Sequence, residues 1–469
     1  MRYLFLGWVY ALVAACVFSL LASLLICAGI DPEARSVADA AAPLLGIWVG
    51  ASLASRASSW ETGVGVGLLY VSLWVGFWAY VMGRYNPLAW FEEGLPHLTV
   101  THLAWWGAAI LAGALGGAMR RLSLPLFLVL VILACAGMGA LMFRAAQRMD
   151  FAKHAAEEPI PGYTMERQDL EADGTTVYTL TFDFQKQSLF RIGVYDCDSD
   201  DAHPGDDANT SFLGQSLETL VDKLDYRAEA VHHQLLAVIN GGFFGESGFS
   251  VAHHEEPLVQ DGRALYHVDL LRPKEQGWFF AVNASTRLPA GQPRFSMLPE
   301  IPWDKLGNYQ TVLGGVRPLR VNGRSVSLKP GAGNTGLRCS RTSIGWSADG
   351  NKFYILVVHD PDGELASQVQ RKMHRSQTGG WDVSEVQHFW EQKQVPFALL
   401  CDGGESTQLA FRRADDTCHD LMSGYQYSFT VGYLFQRPLL ITLPILPPSE
   451  AHRGVLNYLY VEGPARTHP

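Results

Sequence analysis

The hydrophobic pattern of the chain changes about a third of the way along. Before that point, apolar stretches run unbroken for bilayer lengths: 28 uncharged residues between Arg2 and Asp31, 22 from Thr62 to Gly83, and 22 from Leu122 to Phe143. Leu103 to Met119 adds 17, with Gly113 and Gly117 at the small-xxx-small spacing that lets helices approach closely. Ala40 to Ser55 is the shortest at 16 residues, and Pro43 near its start fits a re-entrant or interfacial stretch as well as a span. The first stretch is too long for a signal-peptide core, and no cleavage pattern before a polar domain follows it. The pattern predicts about five transmembrane helices within residues 1–149, or four if Ala40 to Ser55 does not cross.

Past that region the period shortens. Thr176 to Phe182 (TVYTLTF) alternates apolar and polar positions, and Leu189 to Tyr195 is a second β-like run. Gln215 to Leu224 has helical spacing, and Gln234 to Ile239 (QLLAVI) reads as a buried strand. Leu258-Val259 followed by Asp261-Gly262 predicts a hairpin. Phe279 to Val282, Thr311 to Val321 around Gly314-Gly315, and Lys352 to Val358 (KFYILVV) are further strands. Ser384 to Lys393 is a predicted helix, and Pro396 to Cys401 (PFALLC) a buried strand ending at Asp402. The expected organisation is a helical membrane region over 1–149 and a linker over 150–174. An α+β soluble domain with a mixed β-sheet follows over 175–435, then a C-terminal extension over 436–469 packed on the domain or the membrane. Phe429 to Leu446 is apolar, but Gln436, Arg437, Pro438 and Pro444 interrupt it, so a strand and a packed segment fit better than another span.

Composition sharpens this division. Of 469 residues, 48% are hydrophobic and 17% charged, which excludes a disordered or collagen-like chain. The net charge of -10 argues against nucleic acid as a partner. Up to Arg148 there are 8 Arg, no Lys and 6 acidic residues, so the acidity belongs to the later part. With five spans and the N-terminus inside, Arg56, Arg120 and Arg121 lie in inner loops. Arg35 and Arg84 lie outside among Asp31, Glu33, Glu92 and Glu93. The positive-inside rule then places the soluble domain outside the cytoplasm, periplasmic in a Gram-negative cell, although Arg144, Arg148 and Lys153 oppose it. Cys16, Cys27 and Cys135 fall in apolar stretches. Cys197, Cys339, Cys401 and Cys418 are compatible with two disulfides but show no zinc spacing, and Cys401 also fits a buried free thiol.

Two loops carry candidate chemistry, and both follow short buried strands. Asn240-Gly241-Gly242-Phe243-Phe244 offers a glycine pair whose N–H groups could hold an anion. Asp402-Gly403-Gly404-Glu405-Ser406-Thr407 sets a carboxylate beside another glycine pair and two hydroxyls. Neither matches a nucleotide-binding loop, and taken singly each is as well explained by a tight turn. Asp196, Asp198 and Asp200 alternate as in a calcium loop, but Asp201 stands where a glycine is needed, so a solvated acidic loop is expected.

In order along the chain, these motifs resemble one family. The similarity covers about Thr176 to Phe435 and rests on several short pieces: Val238-Ile239-Asn240-Gly241-Gly242-Phe243-Phe244, Pro257 to Arg263, Gly314-Gly315, Asn322-Gly323, Arg341-Thr342-Ser343-Ile344-Gly345, the strand before His359, and Asp402-Gly403-Gly404. This region is similar to the phosphodiester glycosidase domain. The resemblance implies hydrolysis of a sugar-1-phosphodiester at the sugar–oxygen bond, giving a free sugar and a phosphomonoester. It implies Arg341 as phosphate clamp, Asp402 as nucleophile or general base, and Asn240 as the residue that orients the sugar or the phosphate. Gly241, Gly242, Thr342, His359, Gly403, Gly404, Glu405 and Ser406 are the implied substrate-binding set. A phosphate leaving group needs less protonation than an alkoxide, so one carboxylate and one cationic clamp can suffice.

Two departures bear on the chemistry. Glu405 stands where the family has a third glycine, and His359 where it often has aspartate. With Asp402 they could form an O/N site for a divalent cation. Alternatively Glu405 pairs with Arg341 or Arg412 and no cofactor is needed. Three functions follow: a membrane-tethered hydrolase of cell-envelope or exopolysaccharide glycans, an inactive glycan-phosphate binding module, and a metal-dependent phosphodiesterase that cleaves the P–O bond.

Overall fold

In a computed structural model of the chain, the described residues are 2–27, 35–85, 100–149, 156–170, 175–197, 212–213, 217–246, 251–254, 258–266, 278–284, 293–301, 303–327, 336, 338–359, 379–416, 418–422, 428–434, 437–442 and 455–465. They form two compact units, Met1–Asp150 with Tyr425–Ala451, and Phe151–Gly424 with His452–Pro469.

The first unit contains α1 (Arg2–Cys27), α2 (Arg35–Arg56), α3 (Trp60–Tyr85), α4 (Val100–Ala118) and α5 (Leu124–Met149). Small residues let these helices approach backbone to backbone. Gly46 and Gly50 of α2 lie against Gly7, Ala11 and Ala15 of α1, and Gly63 and Gly67 of α3 against Ala109, Gly113 and Gly117 of α4. The expectation of about five membrane spans is corrected. Among the described residues, two helical stretches are long and apolar enough to cross a membrane, Arg2–Leu25 and Leu124–Phe143. Pro43, Asp39 and the terminal arginines weaken α2. The side chains of residues 74–85 and 100–105 lie outside the described set. An antiparallel hairpin of Ser428–Leu434 and Arg437–Thr442 also belongs to this unit, so the apolar run from Phe429 supplies strands.

The second unit is an α+β domain. Its main strands are β1 (Ala156–Ile160), β2 (Tyr163–Asp169), β3 (Thr176–Asp183), β4 (Arg191–Asp196), β5 (His233–Asn240), β6 (Leu258–Gln260), β7 (Trp278–Asn283) and β8 (Phe295–Leu298). They continue as β9 (Tyr309–Val321), β10 (Arg341–Trp346), β11 (Lys352–His359), β12 (Phe397–Gly403), β13 (Gln408–Arg412), β14 (Cys418–Met422) and β15 (Asn457–Pro464). A long sheet runs β1-β2-β3-β11-β10-β12-β9-β7-β8, with β6 also paired to β9. A shorter one runs β14-β13-β5-β15-β4. The pairings in both sheets are antiparallel.

The period-2 pattern sets the layers. Tyr178, Leu180, Ile344, Ile355 and Leu399 of the long sheet meet Ile192, Val194, Ile239, Leu409 and Leu459 of the short one in the main core. Each outer face is covered by a helix. α6 (Leu217–Glu229) buries Leu217, Leu220 and Leu224 on Leu235, Val238 and Tyr458. α7 (Val383–Gln392) buries Val383, Val386 and Trp390 on Val177, Leu319, Val358 and Leu400. Burial at i, i+3 and i+7 is the spacing of one helical face. Asp382 caps α7 in a reciprocal box with Glu385, stopping the fraying expected of so short a helix. The Asp261-Gly262 hairpin forms as expected, with both residues at positive φ (50° and 75°), the requirement of a type I′ turn. Among the described residues, Cys197, Cys339, Cys401 and Cys418 form no disulfide, so the two their number allowed are absent there.

Candidate active site

The site is built where one strand end of each sheet meets the other. β5 ends in Asn240 and belongs to the short sheet, whereas β12 ends in Asp402-Gly403 and belongs to the long one. The side chain of Asn240 is fully buried, and both its nitrogen and its oxygen are hydrogen-bonded. Its Nδ2 donates to the Asp402 carbonyl at 2.8 Å. Its Oδ1 accepts from Thr342 Oγ1 at 2.6 Å and from the Gln408 N–H at 3.1 Å. The Asp402 N–H returns a bond to the Gly241 carbonyl at 3.1 Å, locking the two loops together. Because backbone groups and an amide make these links, the junction carries no net charge and stays insensitive to pH near neutrality.

Arg341 opens β10, directly opposite Gly403 of β12 and Val358 of β11. It is 5% exposed, and its Nε donates to the Trp381 carbonyl at 3.1 Å, just before the α7 cap. A side chain at Gly403 would press on the Ser340 carbonyl and approach the Arg341 guanidinium, so glycine leaves room for the arginine. The Asp402 carboxylate accepts the Gly403 N–H at 2.9 Å. Beneath it, burial followed by the Asp402 charge pushes the Cys401 thiol far up, so this sulfur stays protonated and is no nucleophile. His359 ends β11 opposite Thr176, one position beyond Val358, at the same end of the sheet as Arg341 and Gly403.

The glycine loops act differently from the anion cradle expected. The Gly241 N–H donates to the Asn457 carbonyl at 2.8 Å and the Gly242 N–H to Asn457 Oδ1 at 2.8 Å. The Phe243 N–H donates to Gly315 at 2.7 Å, and the Gly404 N–H to Ser340 at 2.8 Å. A Cβ at Gly242 would run into the Gly314 carbonyl, and Gly404 holds φ at +66°. These glycines therefore permit close backbone packing while their donors are spent on protein partners.

Ser406 and Thr407 follow in full burial, and among the described residues neither hydroxyl has a hydrogen-bond partner. The Glu405 side chain lies outside the described residues. Among those described, no three His, Cys, Asp or Glu residues group as a metal site. The acidic run from Asp198 also lies outside them.

Three participants have no motif in the sequence. Asn457 holds the Asn240 loop from the far C-terminal strand, and Tyr458 donates to Gln408 Oε1 at 3.1 Å beside it. Ser340 supplies only its carbonyl, which any residue would have offered.

Residues 233–431 match the model of the phosphodiester glycosidase family. The chain carries a phosphodiester glycosidase domain. It is thereby a glycosidase-type hydrolase acting on sugar phosphodiesters. Asn240, Arg341, Thr342 and Asp402 all fall inside the matched segment of this domain, whereas Asn457 lies beyond it. Among solved structures, the chain is similar to the catalytic domain of zebrafish N-acetylglucosamine-1-phosphodiester alpha-N-acetylglucosaminidase, auto-inhibited by its pro-peptide. That likeness has a TM-score of 0.39 and 14% identity, over 66% of this chain and 86% of the other. A hypothetical protein from Synechocystis is similar at a TM-score of 0.34 and 12% identity, over 64% of this chain and 62% of that one. No curated protein matches the chain.

Proposed function

We propose that the protein is a membrane-anchored hydrolase that cleaves the sugar–oxygen bond of a sugar-1-phosphodiester in an extracytoplasmic glycan or glycan precursor. The observation that carries the site assignment is the junction of Asn240 and Asp402, which holds the Asp402 loop beside the buried Arg341. Arg341 holds the phosphate through its planar guanidinium, whose Nε is anchored on the Trp381 carbonyl. Asp402 either attacks the sugar carbon or removes a proton from the attacking water. The electron pair of the broken C–O bond leaves on the phosphate, whose low basicity removes the need for a strong acid. Asn240 acts through Asp402 and Thr342 as a positioning residue.

Membrane attachment is supported by the apolar side chains exposed on α1 and α5, among them Phe5, Val13, Val17, Ile132, Leu133 and Phe143. Crossing by α1 and α5 alone would put both chain termini on one side. An extracytoplasmic domain therefore expects reporters fused before Met1 and after Pro469 to be active outside the cytoplasm, and a C-terminal reporter active only inside would overturn that placement.

Product analysis tests the chemistry. Hydrolysis in ¹⁸O-labelled water should place the label on the released reducing sugar and leave an unlabelled phosphomonoester. Label in the phosphate would mean P–O cleavage and would end the proposal.

A further inference from the structure

Arg317 stands on β9 in a position that neither the motif pattern nor the site described above uses. It lies directly opposite Leu400 of β12, and Arg341 lies opposite Gly403 of the same strand. Leu319, two residues after Arg317, and Leu400 both belong to the cluster under α7. Arg317 thus shares a sheet face with Arg341, whose Nε reaches the residue before the α7 cap. Two strand spacings, about 10 Å, separate the strands that carry them. The Arg317 guanidinium stacks on Phe243 at 4.5 Å from the ring centroid, and Phe243 follows Asn240-Gly241-Gly242.

Two other arginines of the domain are held by several protein partners. Arg320, on the same strand, donates to Val395, Ser325 and Gly323, and Arg412 to Leu235, Asp225 and Asp416. Arg317 is half-buried and, among the described residues, has no hydrogen bond or ion pair. Stacking on the ring holds the guanidinium plane while its N–H edge remains available for a bidentate anion.

We propose that Arg317 is a second anion-binding residue of this site, reading a negative group on the leaving-group side of a substrate whose scissile phosphate is held by Arg341. The inference rests on the phosphodiester glycosidase reading and narrows it to substrates with at least two anionic groups.

The test uses the full chain in detergent with two sugar-1-phosphodiesters, one with an uncharged alkyl leaving group and one whose leaving group carries a second phosphate. The wild type should favour the second in kcat/KM by about tenfold or more, the scale of one charge-assisted pair. Arg317→Met, which keeps the apolar contact with Phe243, should erase that ratio, and Arg317→Lys should restore part of it. A wild type without the preference, or a ratio unchanged in Arg317→Met, overturns the proposal while leaving the hydrolase assignment intact. Should neither substrate turn over, the functional reading fails by itself, and calorimetry with inorganic pyrophosphate and orthophosphate decides the Arg317 site. Preference for pyrophosphate that Arg317→Met abolishes upholds it; no preference, or one indifferent to the substitution, refutes it.

Discussion

The side-chain amide of Asn240 donates to the backbone carbonyl of Asp402 across 162 positions of sequence, joining strand ends from two different sheets. Asn240 also takes the Gln408 N–H, so replacing it strands a buried backbone donor as well as releasing the Asp402 loop. Asn240→Ala should cost about 1–3 kcal/mol of stability. Turnover should fall more steeply than substrate binding, because the carboxylate loop loses its anchor. Asn240→Asp keeps the acceptor and loses the donor, so steady-state kinetics should place it between the two.

Asp402 and Arg341 should separate cleanly in kinetics. Asp402→Asn is expected to leave binding nearly unchanged and to lower kcat by about two orders of magnitude or more. Arg341→Ala should raise KM and slow turnover, with Arg341→Lys only partly restored, since an ammonium keeps the charge but loses the fork. Near wild-type kcat in Asp402→Asn would rule out that carboxylate as nucleophile or base.

Asn457 offers a test of the C-terminal strand. Its carbonyl and Oδ1 hold Gly241 and Gly242 in place. Asn457→Leu should leave the Gly242 N–H buried without a partner, costing about 1–3 kcal/mol in thermal or denaturant unfolding. Gly242→Ala should be worse, because its new methyl meets the Gly314 carbonyl and neither backbone can give way cheaply. An alanine variant as stable as the wild type would show that these loops are loosely packed.

Glu462 gives a pH-dependent prediction. Its carboxyl is raised above the ordinary carboxylate range by burial first, with Arg191 opposing and Asp261 adding to the rise. The folded protein therefore holds this proton more tightly than the unfolded chain. The associated stability is present below the ordinary carboxylate pKa and is lost as pH rises through the folded-state value. Glu462→Gln should raise Tm at pH 8 and change it little at pH 4. Loss of stability at pH 8 would mean that the contacts of Glu462 with Arg191 and His233 outweigh its burial.

Period alone determined much of this protein. Runs such as QLLAVI and KFYILVV could only be buried strands, and Asp261-Gly262 could close a hairpin because both residues tolerate positive φ. The spacing of Val383, Val386 and Trp390 was enough to specify a helix, since a single face had to be covered. Those are local consequences of side-chain direction and backbone sterics, legible within ten residues. The fate of a hydrogen-bond donor is different. Gly241 and Gly242 look like an anion cradle in sequence, yet Asn457, more than two hundred positions later, fills their N–H groups. The meeting of two sheets at Asn240 and Asp402 and the stacking of Arg317 on Phe243 likewise depend on strands brought together from distant parts of the chain. Apolar length suggested five crossings, whereas among the described residues two stretches are long and apolar enough to cross, and close glycine and alanine contacts join the helices. Tertiary structure decided these points because a buried polar group must find whichever partner folding brings within about 3 Å, and sequence spacing does not encode that distance.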